Sequence, residues 1–212
     1  MDKIYSILNN SYVSRETCND FEKFILLVLE KNKEINIIGK ETEENIRERH
    51  IIDSAQVFEF IDLKARTCAD LGTGAGMPGI VLAIIAKHLG HGLVFNLYEK
   101  SYHKSKFLKN VSKELDLRIN IIQEDVFKNK FTENGTIIAR AFKPLPTVLE
   151  LVNKNFKNYK NLILFMGKSG QRILNESFAE WNFDYENKKS FTNVDSFLLN
   201  IRNIKKRWQR HK

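Results

Sequence analysis

Asp70-Leu71-Gly72-Thr73-Gly74-Ala75-Gly76-Met77-Pro78-Gly79 is the stretch that decides the fold of this 212-residue chain. It follows Thr67-Cys68-Ala69, which reads with Asp70-Leu71 as a short strand. It opens Pro78 to Leu89, where Ile80, Val81, Ile84 and Ile85 recur at helical spacing. A strand that enters a glycine loop and leaves as a helix is a nucleotide-binding arrangement. Glycines let the chain turn tightly and let a ligand approach the main chain, and the first helical turn offers unpaired N–H groups. Gly74, Gly76 and Gly79 can be forced into G-x-G-x-x-G, a dinucleotide pattern. Gly72, Gly74 and Gly76 fit better as G-x-G-x-G with Asp70 two positions ahead.

Downstream, apolar runs alternate with helical patterns. Leu93 to Tyr98 reads as a strand that ends at Glu99, and Tyr102 to Leu115 as a helix with Phe107, Leu108, Val111 and Leu115 inward. Ile119 to Ile122 reads as a third strand, Thr136 to Ala139 as a fourth, Leu145 to Phe156 as a helix and Asn161 to Met166 as a further strand. Strands alternating with helices predict an α/β fold, a mostly parallel twisted sheet with helices on both faces. Asp195 to Ile201 follows no clear helix, so it is expected to pair antiparallel at or near an edge. Upstream, Arg15 to Lys33 and Glu43 to Ile61 both read as helix. The expected organisation is one domain: a helical extension over 1–64, a Rossmann-like core over 65–201 and a basic tail over 202–212.

The successive strand ends carry carboxylates. Glu99 can accept both hydroxyls of a ribose. Asp125 follows the third strand and can pair with a purine edge, while Val126 and Phe127 supply apolar contact for its face. Gly167-Lys168-Ser169 imitates the end of a P-loop, but the required upstream glycine is Leu162, and no kinase or ATPase reading follows.

Six cations with no intervening acid, Arg202, Lys205, Lys206, Arg207, Arg210 and Lys212, account for most of the net charge of +8. Such a tail can contact phosphates or be simply solvated. Lys106, Lys109 and Lys113 form a second basic face on one predicted helix. Cys18 and Cys68 sit among apolar neighbours without metal-ligand spacing and are expected to be buried free thiols. No signal core precedes the first helix, and no apolar run approaches the ~20 residues of a membrane span. The expected location is cytoplasmic, with no membrane association and no metal.

The Asp-x-Gly-x-Gly-x-Gly form resembles the first motif of Rossmann-like, class I methyltransferases, where the loop cradles the amino-acid part of S-adenosylmethionine. Several stretches together resemble the bacterial 16S ribosomal RNA guanine-N7 methyltransferase G family, also called glucose-inhibited division protein B. They are Asn36 within Glu34-Ile35-Asn36-Ile37-Ile38, the block Arg49-His50-Ile51-Ile52-Asp53-Ser54, the turn from Asp70 to Ile80, and Arg140-Ala141-Phe142. The resemblance spans roughly residues 15 to 200. It implies S-adenosylmethionine as cofactor, 16S ribosomal RNA or the small ribosomal subunit as partner, and methyl transfer to N7 of guanine 527 in the usual ribosomal numbering. It also implies cofactor contacts at Gly72, Met77, Val126, Phe127 and Arg140, which join Gly74 and Gly76 of the turn and the strand-end carboxylates Glu99 and Asp125 as the expected cofactor-binding residues. The chain departs from the family pattern at Lys31, where an aromatic residue is usual, and near Ile38, where a threonine is.

Guanine N7 carries a lone pair and no proton, so in-line attack on a sulfonium methyl needs no general base. Positioning and desolvation are then the expected sources of rate, with no catalytic dyad and Arg140 as the one candidate beyond cofactor binding. Arg49, His50, Lys205, Lys206 and Arg207 are the residues expected to meet RNA, with His50 equally readable as a core histidine. The enzyme is expected to be a monomer. Two other readings stand beside this one: a methyltransferase for a small molecule or protein, and a nucleotide-binding module without catalysis.

Overall fold

The computed structural model describes residues 5, 8, 13–128, 130–132 and 135–207. Helix α1 (Arg15–Asn32) starts at a capping box, in which the Ser14 hydroxyl accepts from the Thr17 amide and the Thr17 hydroxyl accepts from the Ser14 amide. Its buried stripe is Phe21, Phe24, Ile25 and Val28. Asp20 ties it to the next long helix, accepting from Lys87 at 3.1 Å and facing His88 Nε2 at 2.8 Å.

Between Glu43 and Ile61 the single expected helix is broken. After a 3₁₀ turn (Lys40–Thr42), it is replaced by a π-helical turn (Arg47–Ile52), one α turn, α2 (Asp53–Ala55), and another 3₁₀ turn (Phe58–Phe60). The cause is burial on several sides. Ile51, Ile52 and every residue from Ser54 to Phe58 are buried, and no regular helix presents so many consecutive positions to one face.

From there strands and helices alternate: β1 (Thr67–Leu71), α3 (Gly79–His88), β2 (Val94–Tyr98), α4 (Tyr102–Glu114), β3 (Ile119–Ile122), β4 (Phe131–Thr132), β5 (Thr136–Ala139), α5 (Leu145–Asn155), β6 (Phe156–Lys157), β7 (Asn161–Met166), α6 (Gly170–Ser177), β8 (Trp181–Lys189) and β9 (Phe197–Lys206), of which β4, β6, α6 and β8 were not expected. Seven strands form one sheet in the order β3-β2-β1-β5-β7-β9-β8. The first five run parallel, and β9 pairs antiparallel with both β7 and β8. The short β4 and β6 pair separately. Strand alternation divides the core. Cys68, Phe95, Leu97, Ile138 and Ile163 pack with α1, α3 and α4, while Ala69, Leu71, Ile137, Ala139, Leu162 and Leu164 pack with α5 and α6. The N-terminal residues share the first of these cores rather than forming one of their own.

The late strand lies one place in from the edge, because β8 covers it. The basic tail expected from Arg202 is not a tail over its first half: β9 continues through Lys206, and only Arg210 and Lys212 of the six cations lie outside the described residues. The reason is pairing. Trp181, Phe183 and Tyr185 alternate with polar residues along β8, which pairs with β9 from Trp181 opposite Lys206 to Lys189 opposite Phe197. Both cysteines are buried free thiols. Among the described residues, no helix is long and apolar enough to cross a membrane.

Candidate active site

The glycine turn is closed by three carboxylate and carbonyl acceptors. Gly72, Gly74 and Gly76 all have left-handed backbones, with φ of 68°, 59° and 96°. The Tyr98 carbonyl at the end of β2 accepts from the Gly72 and Thr73 amides at 2.9 and 3.1 Å. Asp70 Oδ2 accepts from the Thr73 hydroxyl at 2.6 Å and from the Gly79 amide at 2.8 Å, so one carboxylate spans the turn from its start to the start of α3. Gly79 needs to be small for a different reason. Its φ is ordinary, but a Cβ there would stand 2.2 Å from Leu97 Cδ2 and 2.8 Å from Asp70 Oδ2.

Glu99 closes β2 and is buried. Its Oε2 accepts from the Gly74 amide at 3.1 Å and its Oε1 from the Ser101 amide at 2.8 Å. Each oxygen keeps a second lone pair, so the carboxylate is aimed and still able to accept from a diol. Past β3, Asp125 Oδ1 accepts from the Phe127 amide at 3.0 Å, and the Asn155 side-chain amide holds the Val126 carbonyl at 2.9 Å. Phe127 is 43% exposed. Gly72, Glu99, Asp125, Val126 and Phe127 line one cleft of about 380 Å³.

Four of the nine expected cofactor residues do not line it. Gly74 is the turn's donor to Glu99. Gly76 packs against Ile80 and Leu108, and Met77 is buried in the core beneath the turn. Arg140 points elsewhere. It leaves the end of β5 toward the N-terminal segment: Nη2 lies 2.9 Å from Asp53 Oδ2 and donates to the Arg49 carbonyl at 2.5 Å. Nη1 makes longer contacts, 3.5 Å each, with Ser54 Oγ and His50 Nδ1, and the guanidinium lies over the Phe165 ring.

The wall that sequence reasoning missed is Ala141-Phe142-Lys143. Phe142 stacks near Phe127, with centroids 6.0 Å apart and planes 22° from parallel, and its ring lies directly on Gly72. The same three residues also line a second cleft, about 330 Å³, at the C-terminal ends of β5 and β7 with Leu164 and Met166. Two clefts thus share one wall. The only sequence signal for it was the Arg-Ala-Phe triplet itself.

The residues expected to meet RNA are not brought together. His50 is a packed histidine: its Nε2 lies 2.8 Å from Thr42 Oγ1, and burial with Arg140 and Arg49 nearby lowers it to about 4, so it is neutral at pH 7. Lys205 and Lys206 stand at the opposite end of the sheet from the clefts. Antiparallel β9 begins beside Met166 at the cleft end and runs away from it, so its last residues lie toward the other end of the sheet. Lys206 is engaged there by Glu150 at 2.7 Å and by the Trp181 ring. The cations at the cleft are instead Lys100, Lys104 and Lys143. Among the described residues no group of three or more His, Cys, Asp or Glu is placed to hold a metal ion.

A family model described as rRNA small subunit methyltransferase G matches residues 17–206. Ribosomal RNA small subunit methyltransferase G of Pelagibacter ubique (strain HTCC1062) is 53% identical over 207 residues, 97% of either chain. Its namesake from Orientia tsutsugamushi (strain Ikeda) is 34% identical over 203 residues, 95% of this chain and 99% of that one. Among solved structures, a SAM-dependent methyltransferase from Aquifex aeolicus matches with a TM-score of 0.55 at 15% identity, covering 74% of this chain and 91% of that one. A mutant of MtNAS in complex with S-adenosylmethionine matches with a TM-score of 0.56 at 14% identity, covering 88% and 75%. Those two likenesses establish the class I methyltransferase fold, and the sequence matches establish the rest: the chain belongs to the rRNA small subunit methyltransferase G family.

Proposed function

We propose that the protein transfers the methyl group of S-adenosylmethionine to N7 of guanine 527 in 16S ribosomal RNA, acting as a monomer in the cytoplasm. It is an S-adenosylmethionine-dependent ribosomal RNA methyltransferase; the acceptor atom, the nucleotide, the site residues and the setting are what is proposed. The observation that carries the reading is the pair of clefts on either side of Ala141-Phe142-Lys143. Group transfer between two bound molecules needs two adjoining sites with one boundary, and the C-terminal ends of parallel strands are where α/β sheets place them.

The residues present fit the cofactor. Glu99 keeps one free lone pair on each oxygen for the ribose hydroxyls, exposed Phe127 and Val126 offer an apolar face to adenine, and Asp125 stands beside them. When bound, S-adenosylmethionine supplies a methyl group activated by a sulfonium. Phe142 and Ala141 bound the transfer space. N7 of guanine needs no proton removed, so the site's work is alignment. Lys100, Lys104 and Lys143 at the cleft are placed to meet phosphates. Cys18 and Cys68, both buried free thiols, suit a reducing compartment.

The test follows tritium from labelled S-adenosylmethionine into small subunits, naked 16S ribosomal RNA and total protein. Label is expected in RNA, and borohydride reduction followed by aniline should cut the strand at the modified guanine, since N7-methylation labilises that ring. Label confined to protein, or a cut at another nucleotide, overturns the reading. A second prediction concerns charge. Lys143→Glu should lower RNA affinity several-fold and reduce its salt slope by about one unit. Reversal of Lys205 and Arg207, far from the clefts, should leave RNA affinity within roughly threefold; a tenfold loss would extend the RNA footprint to that end of the sheet.

A further inference from the structure

The Arg49-His50-Ile51-Ile52-Asp53-Ser54 block makes no contact with the cofactor cleft, yet four of its six residues converge on Arg140. We infer that Asp53 is a positioning residue for methyl transfer: by holding the Arg140 guanidinium it fixes Ala141-Phe142-Lys143, the wall between the two clefts. The inference rests on the reading of those clefts as cofactor and acceptor sites.

Ala141 explains why the wall needs holding. Its φ is 48°, a left-handed backbone that costs a residue with a Cβ about 1–2 kcal/mol. Such a conformation persists only where its surroundings impose it. Here it is imposed from both sides. On one side the Phe142 ring is seated on Gly72. On the other, Arg140 is held by Asp53 and the Arg49 carbonyl. Release of Arg140 lets Ala141 relax, and relaxation lifts Phe142 from the glycine turn.

Asp53 is itself firmly placed. Its Oδ2 faces Arg140, while its Oδ1 accepts from Gln56 Nε2 and from the Thr192 hydroxyl, each at 2.8 Å. Gln56 Oε1 in turn accepts from the Phe191 amide at 3.0 Å in the turn joining β8 to β9. The carboxylate therefore joins three segments far apart in sequence: the broken helical region, the end of β5 and the last hairpin. The side chains of the pair are largely buried, 15% and 18% exposed, so the ion pair is shielded from the screening that weakens surface pairs.

The experiment compares wild-type protein with Asp53→Asn and Asp53→Glu. It reads single-turnover methyl transfer onto small subunits at saturating cofactor and RNA, S-adenosylmethionine affinity by calorimetry, and amide hydrogen exchange at residues 141–143. Asparagine keeps the shape and a partner for Thr192 but loses the charge. For Asp53→Asn the transfer rate should fall roughly 10- to 100-fold, the size of loss that small misplacements cause. Exchange at 141–143 should quicken about tenfold, and cofactor affinity should change less than about threefold, because Glu99 and Phe127 are untouched. Asp53→Glu should recover part of the rate. A lowered melting temperature with unchanged transfer per cofactor-binding molecule would make Asp53 merely structural. A slowed rate with unchanged exchange, or faster exchange with an unchanged rate, would equally overturn the inference. Absence of label in RNA from the wild-type enzyme would instead remove the reading of the clefts, and the exchange measurement would still decide whether Asp53 holds the segment.

Discussion

Asp70→Ala will weaken S-adenosylmethionine binding roughly 100-fold or more and lower the melting temperature by several degrees. Asp70 is wholly buried and its Oδ2 closes the glycine turn, accepting from Thr73 at one end and Gly79 at the other. Removing it strands a hydroxyl and an amide donor in the core, at about 1–3 kcal/mol each, and leaves the turn without the bond that joins its ends. Calorimetry with the cofactor and thermal melts measure the two effects. Affinity within threefold of wild type would mean that the Tyr98 carbonyl and Glu99 hold the turn by themselves. The same carboxylate has a pH signature. Burial raises it from the ordinary 3.8 to about 6, outweighing the Thr73 and Gly79 hydrogen bonds, and its Oδ1 is the one buried side-chain oxygen among the described residues without a partner. The folded state therefore holds the proton more tightly than the unfolded chain does. That contribution is fully present below pH 3.8 and is lost as pH rises through about 6, an order of 3 kcal/mol, or ~2 pKa units. In melts from pH 4 to 7, wild type and Asp70→Asn, whose neutral amide stands in for the protonated acid, should be closest in stability near pH 4 and separate as pH rises, the wild type losing stability relative to the variant. A constant difference would place the Asp70 carboxyl at its ordinary value.

Gly72→Val will reduce cofactor binding below detection, a loss of more than ~100-fold. At φ 68° a β-branched residue is a backbone outlier, and a Cβ would stand 2.3 Å from Phe142 Cδ2. The side chain that must give way is the wall of both clefts, so the strain falls on the site rather than on the distant core. Gly72→Ala is expected to lose about tenfold, since it brings the same first carbon but no branches. Near-normal affinity in Gly72→Ala would show that Phe142 is free to shift without disturbing the cofactor's place. Both variants should retain the native far-ultraviolet circular dichroism, because β1 and α3 are otherwise intact.

Local pattern made much of the scaffold legible. The strands that became β1, β2, β3, β5 and β7, and the helices that became α1, α3, α4 and α5, follow from apolar runs bounded by turn residues. Glu99 and Asp125 were legible as cleft residues because they follow strand ends, which parallel topology sends to one edge. Strand β8 was overlooked although Trp181, Phe183 and Tyr185 alternate with polar residues, and with it the extent of β9. The segment from Glu43 to Ile61 looked like one helix because its apolar residues recur at nearly helical spacing. Its breaks come from being enclosed by several neighbours, which no single-segment period encodes.

By itself, the sequence determined the glycine turn, the five parallel strands with the helices α3, α4 and α5, and the family. These depend on residues close along the chain: small residues where the backbone is left-handed, a carboxylate at a strand end, a fixed run of letters. Only the tertiary structure decided where long side chains point. Arg140 and Asp53 are 87 positions apart in the sequence and meet as an ion pair. Phe142 sits on Gly72 at the C-terminal ends of the neighbouring strands β5 and β1. The terminal lysines, which charge alone would send to RNA, are carried by an antiparallel strand to the far end of the sheet. The direction of a strand and the reach of a side chain are set by which distant partners it packs against, and that information is spread over the whole chain.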